Sequence, residues 1–76
     1  MNFDWDGANK DHIAAHGVTP QEVEEVFAND PMDLKFQVVN GEDRYASVGH
    51  TRVMRILLVI WTLRGEAIRP VGSGSV

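Results

Sequence analysis

The chain has 76 residues, no cysteine, three histidines and a net charge of −4. That length supports one domain, in which folding buries only about 60% of the unfolded surface, and the cysteine count excludes disulfides and thiolate metal sites. The longest apolar run, Ile56 to Trp61, is far too short to span a bilayer, and "MNFDWDG" lacks the basic and apolar regions of a signal peptide. The expectation is a soluble, cytoplasmic protein that does not engage a membrane.

The distribution of charge says more than its sum. Residues 1–43 hold ten acids against Lys10 and Lys35, a net of −8, whereas residues 44–76 hold five arginines against Glu66 alone, a net of +4. Such asymmetry is compatible with an anionic ligand on the basic half, and equally with arginines that keep a small sheet soluble.

"NFDW" alternates and predicts a short strand over Asn2–Trp5. Asp6 can cap a helix from Gly7 to about His16, with Gly17 as its left-handed terminator. Thr19-Pro20-Gln21-Glu22 is a second helix start, with Pro20 at the first helical position and Glu22 placed to complete a capping box. Val23, Val26 and Phe27 then give that helix one apolar face, and Asp30-Pro31 ends it. From Met32 the period changes to two. Strands are predicted over Met32–Val39 and Asp43–Gly49 around an Asn40-Gly41 hairpin turn. A loop at His50–Arg52, a long strand Val53–Leu63, a turn at Arg64-Gly65 and a last strand Glu66–Val71 follow, the last confined to an edge or an end by Pro70. Residues 1–71 form one domain in this reading, and residues 72–76 a flexible Gly/Ser tail.

Within Ile56–Trp61 both strand faces are apolar, so this strand is expected at the centre of the sheet with both faces covered. Two helices on one side cover one face only. A C-terminal helix absent from the chain, a second copy, or a partner protein would have to cover the other.

Three constellations bear on chemistry. His12 and His16 share a helix face and His50 could add a third nitrogen, but the intervening Ile13-Ala14-Ala15 lacks the glutamate of a His-Glu-x-x-His zinc motif. No nucleophile elbow surrounds Ser47, and no glycine-rich phosphate loop precedes a helix. What remains is arginine with histidine or tyrosine on a sheet. Cleavage of RNA by its own 2′-hydroxyl needs a base, cations for the charge on the phosphorus oxygens, and an acid for the leaving oxygen. His50 or Tyr45 can serve the proton transfers, and Arg52, Arg64 and Arg69 the charge.

The strings "FDWD", "NKDHIAAHGVTPQEVEEVF", "NDP", "GEDRY" and "RILLVIWTLRGEAIRPV" together resemble the BrnT family of type II toxins over Phe3–Val71. The resemblance implies an α+β, RelE-like fold of order β-α-α-β-β-β-β, with a mostly antiparallel sheet and two N-terminal helices on one face. It implies a small ribonuclease that cuts messenger RNA and is silenced by an antitoxin protein encoded beside it. Arg64 and Arg69 would then lie on the strands of the family's RNA face. Two departures stand out: Ala15 replaces a lysine that many members carry, and Gly72–Val76 stand where members continue into a basic C-terminal helix.

The expectation is therefore a toxin homologue whose metal-independent RNA cleavage, requiring no cofactor, is weak or lost. His50, Arg52, Arg64 and Arg69 would be catalytic, and Lys10, Arg44 and Tyr45 would contact RNA. The alternative is a non-catalytic interaction module that forms a homo-oligomer, or binds an antitoxin-like partner, through the uncovered sheet face.

Overall fold

Helix α1 (Gly7–Ala14) starts at Asp6, whose carboxylate accepts the Asn9 N–H at 3.0 Å while the Asn9 side-chain oxygen accepts the Asp6 N–H at 2.8 Å. Eight residues are too few for a helix to stand alone in water, so this reciprocal cap and the buried Ile13 hold it. The computed structural model describes the backbone of residues 1–76 and every side chain but that of Lys35. The helix closes at Gly17, where φ is +72° and the Val18 N–H reaches back to the Ile13 carbonyl, a left-handed C-terminal motif that favours glycine.

Helix α2 (Pro20–Ala28) has the capping box expected at Thr19 and Glu22, and it buries Val23, Val26 and Phe27. Strands β1 (Met32–Val39) and β2 (Glu42–His50) join through Asn40 and Gly41, both at positive φ, as a two-residue hairpin with the right twist requires. Strand β3 (Ile56–Arg64) begins later than its apolar composition suggests. The buried Thr51 organises the preceding loop: its N–H donates to the Arg55 carbonyl and its hydroxyl accepts the Arg55 N–H. Val53 and Met54 are consequently exposed in the turn.

Strand β4 (Ala67–Ser75) completes an antiparallel sheet of order β1-β2-β3-β4. The Gly/Ser stretch expected as a flexible tail is the end of this strand. Gly72, Ser73, Gly74 and Ser75 pair with Ile60, Val59, Leu58 and Leu57. Glycine and serine are poor strand formers, but the long β3 supplies a complete row of backbone partners, and the Ser73 hydroxyl donates to the Leu58 carbonyl at 2.9 Å. Nor does the chain leave the sheet at Pro70: a register shift beside Pro70 accommodates it on this outer strand.

The fold class is α+β as expected, with both helices on one side. The predicted first strand, Asn2–Trp5, is reduced to one parallel bridge between Phe3 and Ile68, made by Asp4 N–H to Ile68 O and Ile68 N–H to Asn2 O, both 2.8 Å. The next rung of a parallel ladder would need an N–H from Pro70, which has none. The Asn9 side-chain amide fills the gap, donating to the Asp4 carbonyl at 2.8 Å and to the Pro70 carbonyl at 3.0 Å.

The core lies between helices and sheet. Ile13, Val18, Val23, Val26 and Phe27 meet Leu57, Val59 and Ile68, with Phe3, Trp5 and Trp61 packed against them. The other face of the sheet carries Leu58 and Ile60, which with Leu34 and Ala46 line an open groove of about 290 Å³. No helix of the chain is long and apolar enough to cross a membrane.

Asn9 is 4% exposed, so truncating it strands two carbonyls and breaks the α1 cap. Asn9→Ala is expected to lower stability by about 2–3 kcal/mol in urea unfolding. A loss below about 0.5 kcal/mol would show that the amide does not hold the N-terminal segment.

Candidate functional site

Arg69 lies on β4 opposite Thr62, and Arg64 at the far end of β3. Alternation along the N-terminal segment sends Phe3 and Trp5 into the core, and it leaves Asp4 and Asp6 beside these arginines. Arg69 Nη2 is 3.0 Å from an Asp6 carboxylate oxygen and Nη1 is 3.5 Å from Asp4, while Arg64 Nε is 3.9 Å from that same Asp4 oxygen. The structure thus brings Arg64 and Arg69 together at one corner, with two carboxylates against two guanidiniums.

The two arginines differ in availability. Arg64 has 60% of its side chain exposed and makes only a long ion pair, the kind that contributes little in water. Arg69 has 12% exposed, and its Nη1 is buried without a hydrogen-bond partner among the described residues. The Asn9 backbone N–H is the largest influence on the Asp6 carboxyl. Against some opposition from burial, it and Arg69 hold that carboxyl below the usual carboxylate range. Arg69 is therefore a fastener of the N-terminal segment before it is a ligand group. It also lines a shallow cavity of about 210 Å³ with Asn9, His12 and Val71.

His50 and Arg52 sit elsewhere. His50 ends β2 and pairs with Ile56, eight residues along β3 from Arg64. At about 3.3 Å per residue the two ends lie roughly 26 Å apart. The four residues expected to share one catalytic centre are thus divided between opposite ends of the sheet. His50 Nδ1 lies 3.1 Å from the Thr51 carbonyl, and the Arg52 N–H donates to Glu25 with the residue exposed.

The expected RNA contacts are also dispersed. Lys10 is exposed on α1, and Arg44 pairs with Glu42 at 2.7 Å beside the open groove. Tyr45 stacks on Trp61 with centroids 4.5 Å apart and lies 5.2 Å from the Phe36 ring. His12 and His16 have ring centroids 5.8 Å apart, and among the described residues no group of three or more His, Cys, Asp or Glu gathers at metal-binding range.

Sequence reasoning passed over Arg55. Its Nη1 donates to the Gly17 carbonyl at 2.8 Å and to both Glu22 oxygens, and its Nη2 donates to the Ser75 hydroxyl at 3.0 Å. One guanidinium so ties the α1–α2 turn, the start of α2 and the end of β4. Burial pushes the Glu22 carboxyl up, but the Thr19 N–H and Arg55 together outweigh it, and the carboxyl ends below its ordinary value.

Residues 5–75 match the family described as the ribonuclease toxin BrnT of type II toxin–antitoxin systems. The chain belongs to the BrnT toxin family. It is thus a homologue of the toxin half of such a pair, and an antitoxin protein is its implied partner. No curated protein matches it. The matched span includes Gly72–Ser75, so the BrnT pattern runs through the whole of β4.

Both shifted carboxyls have folded-state values below their unfolded ones. Their contribution to stability is complete above the ordinary carboxylate range and is lost as pH falls through the depressed values. The urea midpoint is expected to stay level from pH 7 to about 5 and to fall below about pH 4. Glu22→Gln should lower the midpoint at pH 7 and flatten the acid limb. An acid limb of unchanged steepness in that variant would remove Glu22 from the account.

Proposed function

We propose that this BrnT-family protein acts in the cytoplasm as a toxin homologue whose metal-independent cleavage of RNA is weak or lost. One observation carries the reading: three of the five arginines are held within 3.0 Å by the chain's own carboxylates, Arg44 by Glu42, Arg55 by Glu22 and Arg69 by Asp6, while Arg64 lies 3.9 Å from Asp4. A phosphodiester entering the corner of Arg64 and Arg69 has to displace Asp4, and Arg69 offers little accessible surface. Electrostatic stabilisation of the phosphorane works when donors are aimed at the developing charge without prior reorganisation, and that condition is met poorly here. Arg64 is the best candidate phosphate contact and Arg69 sets its neighbourhood.

A second reading has its own support. The groove of Leu34, Ala46, Leu58 and Ile60 leaves large apolar side chains of a central strand in contact with water, and a second copy or an antitoxin covering it would bury them. An interaction module of this kind needs no catalysis. Light scattering that shows a dimer, dispersed by Leu58→Lys with the fold retained, would favour this reading.

Purified protein incubated with single-stranded RNA in EDTA tests the first. The expected result is slow cleavage that falls by at least about tenfold in Arg64→Ala, an effect of about 1.4 kcal/mol on the barrier, or no cleavage even at high protein concentration. Rapid cleavage by the parent chain, unaffected by Arg64→Ala, would contradict both the weakness and the site.

A further inference from the structure

The helices form an incomplete layer on their face of the sheet: α1 packs on β4, and α2 on β2 and β3. The antiparallel register fixes what stands beyond them on the β1 side. Phe36 of β1, Tyr45 of β2 and Trp61 of β3 form one row across the strands. Trp61 packs edge-on against Phe27 of α2, so this row belongs to the helix-covered face. Two residues further along, Val38 lies opposite Asp43, and alternation puts Leu63 on the same face. On the other side of the row, Asp33 lies opposite Ser47, whose hydroxyl donates to Asp33 and accepts from the Trp61 indole N–H.

Phe36, Val38 and Leu63 are each more than half exposed. Asp33 and Asp43 are exposed as well, and neither makes an ion pair among the described residues. The row of rings is therefore flanked, along the strand direction, by one carboxylate on each side. From Asp43 to Ser47, the partner of Asp33, is about 13 Å at 3.3 Å per residue.

That spacing on a single face selects the occupant. In a helix, residues at i, i+4 and i+8 stay on one side and span about 12 Å at 1.5 Å per residue. A helix with a lysine or arginine at each end of such a set, and apolar side chains between, meets both acids and the rings together. Its cations lie against Asp33, Asp43 and the rings, and its apolar groups cover Phe36 and Val38. Asp43, Tyr45 and Leu63 also line an open depression of about 390 Å³, which has room for one basic head group. A second copy has no such helix to offer, because the apolar residues of both its helices are already buried and α2 is acidic. RNA would bring phosphates to two carboxylates. We propose that a basic amphipathic helix of a partner protein docks along the β1 side of this face and completes the helical layer. Its assignment to the antitoxin rests on the toxin-family reading, whereas the surface itself does not.

The test uses the full chain and a fluorescein-labelled, alanine-based peptide of about 16 residues. It carries lysines about eight positions apart, with leucines between them on the same helix face. One counterpart has glutamates for the lysines, and another has a central proline that breaks the helix. Fluorescence anisotropy is expected to show saturable binding of the lysine peptide, with each counterpart at least about tenfold weaker. Phe36→Ser, and the double variant Asp33→Asn with Asp43→Asn, should each weaken binding by about tenfold. Leu58→Lys, on the opposite face, should leave it unchanged, and near-UV circular dichroism shows that all variants remain folded. No saturable binding, equal binding of either counterpart, unchanged affinity in both near-face variants, or displacement by single-stranded RNA would overturn the proposal. Rapid RNA cleavage unaffected by Arg64→Ala would contradict the reading of weak activity and leave these readouts unmoved.

Discussion

The missing N–H of Pro70 governs how the N-terminal segment meets the sheet. A parallel strand over Asn2–Trp5 would need that donor for its second rung, and proline removes it. The buried Asn9 amide substitutes, holding the Asp4 and Pro70 carbonyls while its own oxygen caps α1. One side chain thus joins the segment, the first helix and the outer strand. Asp4 and Asp6 owe their position beside Arg64 and Arg69 to this junction, because a segment free of β4 would carry its carboxylates into solvent.

That placement turns an apparent cationic surface into a set of internal ion pairs. The positive half of the chain looks like a polyanion site when charges are counted along the sequence. In space the acids of the first half are interleaved with the arginines of the second. Arg55 shows the most developed case, because its three-way attachment needs a guanidinium's fork of donors and lysine could not reproduce it. An arginine placed this way has its donors engaged already, and its residual charge is offset by the carboxylate that orients it.

Most of the local structure was legible in the sequence. Thr19-Pro20-Gln21-Glu22, Gly17 and Asn40-Gly41 act through their own backbone chemistry, and each did what its residues dictate. The errors arose where distant partners decide. Gly72–Ser75 have low strand propensity, yet a paired strand forms because β3 offers backbone partners along its full length. Val53 and Met54 read as strand, but Thr51 closes a turn around them. Arg55 meets Gly17 and Glu22, 38 and 33 residues away, and no spacing rule exposes such a contact. The candidate catalytic set failed to assemble for a related reason. Residue types can nominate His50, Arg52, Arg64 and Arg69, but only the register of β2 on β3 shows that they occupy opposite ends of one strand pair.

The helices pack on β2, β3 and β4, and this one-sided coverage explains why the molecule has two different unfinished surfaces. On the far face, the aliphatic Leu58 and Ile60 are only half-buried, lining the open groove with Leu34 and Ala46. On the near face, a row of rings runs from Trp5 through Phe3, Phe27, Trp61 and Tyr45 to Phe36, with successive centroids between 4.5 and 6.4 Å apart. The row begins against the helices and continues beyond them, so its last member is carried onto β1 and into solvent. Removing Phe36 from water requires something alongside the open edge, not over the far face. The aliphatic groove asks for an apolar layer, whereas the aromatic edge carries backbone groups along β1 that have no partner in the sheet. A single partner that satisfied both would have to turn around β1, passing from one face of the sheet to the other.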